Sequence, residues 1–483
     1  MEKTNVTENI FKMLESKFQC KKTENGVLVT IDTADGKEDV SLRSDKFCSI
    51  LANRYRKEYG VIIQSFKFKD CIFNYYGKVM EECKKVNNSN RYDRGADGSI
   101  WIDRGDMSDT YFVISQNGLK VADNASRHFY KHSRKRELPF PDMEHGNIDR
   151  IFKYCRVPEN MKNIFIAYLV SLFIGNIEHP CLVLNGEQGS GKTTVSTFIK
   201  ALVDPVGNNR PCLFPKNISD LALMFQSNYL IAFDNLRTLT KIQSDILCSI
   251  ITFSEEIRRK LYTDSEMLYF DLHQPIILNG IHDIVKEPDM LSRSIIMNII
   301  KPTGKDNFSY DKVVLMDEFM NDRAVILGGI FRILSKVLKK YKPNFISRQG
   351  YDIRMSSFYD YGYYICEAWK KGSGVEFCAD YITLLEHQLR NFKKNSDLVE
   401  TLKCFLEEED DFHWEGMMNA LSEALNNFIK IVGDMHIKIP SSPNRLSREI
   451  SNLRVELEAA GITVEMSKTR NNSRYIRLTL EDE

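Results

Sequence analysis

The stretch that decides the fold is Cys181–Leu202, CLVLNGEQGSGKTTVSTFIKAL. It contains the pattern G-x-x-x-x-G-K-T at Gly186–Thr193, which follows an apolar segment, Cys181–Asn185, and opens a helical one. A strand, a glycine-rich turn and a helix in this order direct backbone N–H groups toward a phosphate at the helix N-terminus. The alternative, a structural glycine turn, does not explain why an apolar strand precedes the loop and a helix follows it. We therefore predict a phosphate-binding loop (P-loop) at the edge of a parallel α/β sheet.

The predicted nucleotide site extends over Gly186, Glu187, Gln188, Gly189, Ser190, Gly191, Lys192, Thr193 and Thr194. Lys192 is expected to bind the β- and γ-phosphates of ATP, and Thr193 is expected to ligate Mg²⁺. A second apolar segment, NYLIAFDN, ends in Asp234, a carboxylate suited to the same Mg²⁺. ATP and Mg²⁺ are thus the expected ligands.

Two later residues complete the predicted catalytic set. Asn279 ends the apolar segment QPIILNG, where its amide is expected to contact the γ-phosphate or the attacking water. Arg293 ends the short segment EPDMLSR, where it is expected to reach the ATP of a neighbouring subunit as an arginine finger. A turn residue and a surface ion pair are the respective alternatives.

Length and composition set the frame around this core. With 483 residues and equal numbers of acidic and basic residues, 66 each, the chain suggests about three domains and gives no whole-molecule electrostatic argument for nucleic acid. The 11 cysteines include no C-x-x-C pair. The N-terminus lacks a signal-peptide pattern, and the longest apolar run, Ile164–Gly175, is too short to span a bilayer. We expect a cytoplasmic protein without membrane contact.

The C-terminal segment predicts a winged helix: two helices, the second opened by Ser-Pro and closed by Gly461, then a hairpin with an Asn-Asn-Ser turn. Basic residues favour DNA, chiefly through its phosphates. On the second helix they are Arg445, Arg448 and Arg454, and on the hairpin Lys468, Arg470, Arg474 and Arg477. A protein-binding module with a solvated basic face is the alternative.

The ordered motifs GEQGSGKT, LIAFDN, IILNGI and DMLSR resemble those of AAA+ ATPases, and more narrowly the superfamily 3-like helicases and initiators of phages and mobile elements. The resemblance implies an α/β fold class: an AAA+ P-loop core with a parallel sheet, an α+β domain before it, and a helical region and winged helix after it. The expected boundaries are residues 1–140, 146–345, 346–412 and 413–483. It further implies a hexameric ring that holds single-stranded DNA in its pore and duplex DNA at the winged helix.

The same resemblance assigns a pore hairpin to EEIRRKLYTDSEMLYFDL, with Arg258, Arg259 and Lys260 as DNA contacts; a solvated charge run is the alternative. The lid arginine of such ATPases is not assigned among Arg323, Arg332, Arg348 and Arg354. Asp103 and Asp106, in WIDRGDMSD, suit a metal pair less well than a turn after a strand.

Three functions fit these motifs: an ATP-driven DNA helicase or translocase in replication initiation, an ATP-controlled origin-binding initiator or loader, and a defence ATPase acting on a protein. One position departs from the usual pattern, because Asn235 stands where many ATPases have a carboxylate. An amide orients water but accepts no proton at neutral pH. Either Asn235 positions the water or Glu187 serves as the base, and we favour Glu187.

Overall fold

The computed structural model describes residues 6–480, apart from residues 35, 87, 124–127, 216, 218, 253, 260–266, 281–283, 300, 302–311, 345, 347, 349, 352, 395–396, 433–438, 441 and 469–473. Two compact units divide the chain, residues 1–384 and residues 385–483. The 11 cysteines are all unpaired. In the described part of the chain, no helix combines the length and apolar character needed to cross a bilayer.

The first unit begins with a small α+β layer. A three-stranded antiparallel sheet packs with three helices around its own apolar core. Ser44 starts one helix by accepting the N–H of Phe47, and Gly60 ends it with φ of 70°. The elements are α1 (Val6–Lys17), β1 (Cys20–Thr23), β2 (Gly26–Thr33), β3 (Gly36–Ser41), α2 (Asp45–Tyr59) and α3 (Ser65–Glu82).

Short strands follow. Four of them form an antiparallel sheet in the order β5-β6-β7-β8, and two form a parallel pair, β4 with β9. Their bounds are β4 (Asn88–Ser89), β5 (Tyr92–Arg94), β6 (Ile100–Asp103), β7 (Tyr111–Ser115), β8 (Gly118–Ala122) and β9 (His128–Phe129).

A five-stranded parallel sheet in the order β11-β12-β15-β10-β16 forms the centre of the first unit. Strand β10 is buried along its whole length, as expected of a parallel strand covered on both faces. The predicted parallel sheet is therefore confirmed. Its strands are β10 (Cys181–Asn185), β11 (Cys212–Leu213), β12 (Ile231–Leu236), β15 (Ile276–Gly280) and β16 (Ser294–Asn298), and β13 (Ser254–Arg259) pairs separately with β14 (Met267–Leu272).

Helices connect and extend this sheet. Two 3₁₀ helices, Ile148–Lys153 and Glu159–Met161, precede the first of them. The helices are α4 (Lys162–Ser171), α5 (Lys192–Val203), α6 (Ser219–Gln226), α7 (Lys241–Ile251), α8 (Pro288–Leu291), α9 (Lys312–Lys340), α10 (Ser356–Trp369) and α11 (Ser373–Lys394), which runs into the second unit.

The second unit has its own apolar core and an antiparallel sheet in the order β17-β19-β18. After a 3₁₀ turn at Asp410–Phe412, the described residues form three helices between its first and second strands in the chain, and the third of them is short. The elements are α12 (Asp397–Glu407), β17 (His413–Met417), α13 (Met418–Val432), α14 (Pro443–Asn452), α15 (Arg454–Ala459), β18 (Ile462–Lys468) and β19 (Arg474–Leu480). This unit starts upstream of the predicted boundary at 413 because α12 packs into the same core.

Candidate functional site

The glycine loop, residues 186–191, joins β10 to α5 at the carboxyl end of the central sheet. Its three glycines have positive φ, 150° at Gly186, 82° at Gly189 and 95° at Gly191. At Gly186 a Cβ atom would lie 2.7 Å from the carbonyl oxygen of Ile299. A side chain is therefore excluded at Gly186 on both conformational and steric grounds, and is disfavoured at Gly189 and Gly191 by their positive φ.

Lys192 and Thr193 start α5 beside this loop. The Lys192 ammonium donates to the carbonyls of Gly186 at 2.6 Å and Glu187 at 2.8 Å, and burial lowers the pKa of Lys192 although Asp234 opposes this. Thr193 Oγ1 donates to Asp234 Oδ2 at 2.9 Å. The structure thus brings together the three residues predicted to contact phosphate and metal.

Asn235 lies next to Asp234 at an irregularity of β12, where the register shifts between Phe233 and Leu236. Its φ is 59°, a left-handed conformation that asparagine adopts more readily than most residues. The Asn235 N–H donates to Asp234 Oδ1 at 2.9 Å. Both Asn235 and Glu187 are exposed, so the geometry leaves both assignments of the water-handling residue open.

Asn279 is fully buried at the end of β15. Its Nδ2 donates to Ser196 Oγ at 2.9 Å, and that hydroxyl in turn contacts the carbonyls of Lys192 and Thr193 at 3.1 and 3.0 Å. Asn279 Oδ1 is buried without a partner among the described residues. In this arrangement Asn279 supports the first turn of α5 rather than projecting into solvent.

Arg293 follows α8 with its side chain 12% exposed. It forms an ion pair with Asp289 and donates to the Asp289 carbonyl at 3.0 Å, and the Arg293 contact lowers the pKa of Asp289. The four unassigned candidates for the lid arginine have different surroundings. Arg354 also lowers the pKa of Asp289, and Arg323 is buried beside the Glu137 carbonyl. Arg348 contacts Asn344, and Arg332 is exposed.

A buried ion pair, unforeseen from the sequence, lies at the other end of α5. Arg91, fully buried, donates through Nε to Asp204 Oδ1 at 2.8 Å and through its other nitrogens to four backbone carbonyls. Asp204 also accepts the N–H groups of Tyr229 and Leu230, which lead into β12. Since 113 residues separate the two partners, no local pattern indicates the contact.

In the basic segment KHSRKR, residues 131–136, Lys131 and Lys135 are buried, whereas Arg134 and Arg136 are exposed. Lys131 and Lys135 contact the two oxygens of Asp103 at 3.0 and 2.8 Å. Burial raises the pKa of Asp103, but these ammonium groups and Arg91 outweigh it and hold the pKa well below the usual value. Asp106 instead pairs with Arg104 and accepts the Thr110 N–H, as expected of a turn residue.

The predicted pore hairpin is described only in part. β13 and β14 form the antiparallel pair, and Arg258 and Arg259 end β13. Lys260, the turn at 263–265 and the side chains of Arg258 and Arg259 lie outside the described residues.

The basic residues of the second unit differ in their surroundings. Arg445 and Arg448 are exposed on α14, and Arg474 of β19 donates to Ser447 Oγ at 2.7 Å. Arg454 instead donates to the Val464 carbonyl, and Arg477 pairs with Glu415 and Glu465 at 3.0 and 3.3 Å. Lys468 ends β18, its side chain undescribed, and Arg470 lies outside the described residues.

Comparison with known protein families identifies the family to which the chain belongs. The family described as the actinomycete integrative conjugative element replication protein matches residues 148–388, and the C-terminal domain described for that replication protein, RepA, matches residues 398–483. The chain belongs to this RepA family. It is a replication protein of a mobile genetic element, which agrees with the coarser part of the resemblance noted from the motifs. The first RepA match contains the glycine loop, Asp234 and Asn279, and the second contains α14 and β19.

No curated protein matches the chain. Two solved structures of the NrS-1 C-terminal region in the apo form have TM-scores of 0.42 and 0.40, at 10% and 12% identity. They cover 98% and 97% of this chain, and 99% and 98% of their own. At this level of similarity they add nothing to the RepA assignment.

Proposed function

We propose that this replication protein is an AAA+ ATPase that moves along or unwinds DNA during replication initiation of its element. The observation that supports the proposal best is the contact between Thr193 and Asp234 beside a glycine loop at the end of a buried parallel strand. A hydroxyl and a carboxylate side by side are oxygen ligands suited to Mg²⁺, which usually takes its other ligands from phosphates and water.

In this proposal the residues of the chain position ATP and leave little covalent chemistry to the protein. The N–H groups of residues 186–191 and the Lys192 ammonium hold the phosphates, and Lys192 gives up its contacts with Gly186 and Glu187 to do so. Bound Mg²⁺ would neutralise phosphate charge next to Thr193 and Asp234. Glu187 or Asn235 then orients the attacking water, and Asn279 acts through Ser196.

The oligomer and the DNA contacts are further parts of the proposal. Arg293 acts on the ATP of a neighbouring subunit in a hexameric ring, which requires it to leave Asp289. Arg258, Arg259 and Lys260 face single-stranded DNA in the pore, and the second unit, as a winged helix, binds duplex DNA through Arg445, Arg448, Lys468, Arg470 and Arg474.

One experiment tests these assignments together. ATP hydrolysis is measured with and without single-stranded, forked and duplex DNA, and the mass of the protein is measured with a non-hydrolysable nucleotide. Stimulation by single-stranded or forked DNA and a ring-sized mass are expected. Binding of duplex DNA with no stimulated turnover would favour the origin-binding initiator or loader, and turnover indifferent to all DNA would favour a protein-directed ATPase.

If Arg258, Arg259 and Lys260 are replaced together by alanine, unwinding of forked DNA should fall while duplex binding by the second unit persists. Unchanged unwinding would contradict the pore assignment.

A further inference from the structure

A groove of about 360 Å³ lies between α14 and the β18–β19 hairpin in the second unit. We name it the α14 groove, and it is lined by Ser447, Arg448, Ser451, Met466, Ser467 and Arg474. Among the residues that the structure describes, its lining contains two guanidinium groups, three hydroxyls and a thioether, with no carboxylate.

The strand geometry explains why one arginine of β19 faces this groove. Side chains alternate along a strand, and Ile476 and Leu478 of β19 are buried in the core, so Arg474 extends the same face toward α14. Arg477 has the opposite orientation, where its cross-strand neighbours Glu415 and Glu465 neutralise it. The sheet thus separates a neutralised arginine from one available to an external anion.

Ser447 fixes the position of Arg474. Ser447 is 1% exposed, and its hydroxyl accepts one N–H of Arg474 at 2.7 Å; within the described part of the chain, the other guanidinium donors remain for a ligand. Ser451 is held in turn, since its hydroxyl donates to the Ser447 carbonyl at 2.8 Å. A preorganised guanidinium loses less conformational freedom when it binds an anion.

We infer that the α14 groove binds one backbone phosphate of duplex DNA, with Arg474 and Arg448 as its charged donors and Ser447 as the residue that positions Arg474. The inference rests on the proposed DNA binding by the second unit and adds the site and its chemistry. Phosphate oxygens match the forked donors of arginine, whereas base edges carry no charge to compensate two guanidinium groups. Binding at this groove is consequently independent of base sequence.

The test uses the full chain without nucleotide and two duplexes of unrelated sequence, with affinity measured over a range of salt concentrations. Arg474→Ala and Arg448→Ala should each weaken binding to both duplexes roughly tenfold and reduce the slope of log affinity against log salt by about one. Arg477→Ala, on the other face of the sheet, is the matched control and should change neither quantity. Thermal unfolding of each variant should match the wild-type protein.

A double-mutant cycle tests the role of Ser447. Ser447→Ala should weaken binding less than Arg474→Ala, and the two changes together should cost no more than Arg474→Ala alone, since Ser447 acts through Arg474. Additive losses would overturn the positioning role, and a loss confined to one duplex would overturn a phosphate contact. Wild-type affinity of Arg474→Ala, with Arg445→Ala impaired, would overturn the groove and leave DNA binding intact. Absence of duplex binding by the wild-type chain would overturn the proposed function itself.

Discussion

At the scale of single residues, Asn235 illustrates how backbone geometry constrains chemistry. Its φ of 59° lies at the register shift of β12, and its N–H orients the neighbouring Asp234. A glutamate at this position would have to adopt a left-handed conformation that costs on the order of 1 kcal/mol. The asparagine thus has a structural reason to be there, separate from any role in handling water.

A pair of substitutions distinguishes the two residues proposed to handle water. Glu187→Gln should lower ATP turnover by roughly 100-fold or more with nucleotide affinity retained, because glutamine has nearly the shape of glutamate but cannot accept a proton. Asn235→Gly preserves the left-handed backbone and removes only the amide, so it should retain most turnover. Steady-state hydrolysis and nucleotide titration measure both. Full activity of Glu187→Gln would return the task to Asn235.

The proposed action of Arg293 on a neighbouring subunit requires it to leave Asp289, because its guanidinium is paired with that residue in its own chain. Arg293→Ala should lose turnover, by roughly 1,000-fold if it stabilises the transferring phosphoryl group, with nucleotide binding largely retained. Mixing inert Arg293→Ala with inert Lys192→Ala subunits should restore part of the activity, since some interfaces then combine an intact Lys192 site with an intact Arg293. No recovery at any ratio would contradict action across an interface.

At the scale of elements, helix α5 is held at both ends. Asn279 and Ser196 fix its first turn, beside the glycine loop, and Asp204 with Lys200 and Arg91 fixes its C-terminal end. The glycine loop therefore leads directly into a helix whose two ends are both held by side-chain contacts.

Removal of one partner of the Arg91–Asp204 pair should be strongly destabilising. Asp204→Asn or Arg91→Met breaks this buried pair, although Lys200 remains 3.5 Å from Asp204 in the Arg91 variant, and should cost about 3–5 kcal/mol in the free energy of unfolding. The double variant should be less impaired than the sum of the two. Denaturant unfolding measures these values, with Lys78→Met, which breaks the exposed pair with Glu15, as a control expected to change little. A sum that is simply additive would contradict the coupling.

At the scale of the whole first unit, buried titratable groups link the N-terminal strands to the central sheet. His132 lies among them, and burial together with Lys135 lowers its pKa to about 4. The unfolded chain takes up this proton near pH 6.5, while the folded chain resists it until about pH 4. The stability associated with neutral His132 is thus fully present above pH 6.5 and is lost as the pH falls toward 4.

His132→Gln should accordingly flatten the pH dependence of unfolding between pH 6.5 and 4, by at most about 3 kcal/mol. Thermal unfolding at a series of pH values measures this. His145→Gln, an exposed histidine, provides the comparison and should change the dependence less than His132→Gln does. Identical pH profiles for His132→Gln and the wild-type protein would contradict the assignment.

The sequence was informative where the chemistry is local and uninformative where it is not. The strand, glycine loop and helix at residues 181–203 follow from periodicity and from glycine, so the central sheet and the proximity of Thr193 and Asp234 were predictable. The left-handed Asn235 and the buried amide of Asn279 depend on strand register, which the pattern does not give. Nothing local in the sequence indicates that Lys131 and Lys135 are buried against Asp103, which lies 28 and 32 residues away in the chain. Arg477 differs from Arg474 through the face of β19 on which it lies and through its cross-strand neighbours.

The Arg91–Asp204 pair also bears on how such genes can be recombined. The first family match begins at residue 148, so a hybrid joined at that boundary would take Arg91 from one parent and Asp204 from the other. A hybrid in which only one of these two residues is present would lose this buried ion pair. A segment that carries both partners of the pair is therefore longer than the one that the first family model matches, and it begins at or before Arg91.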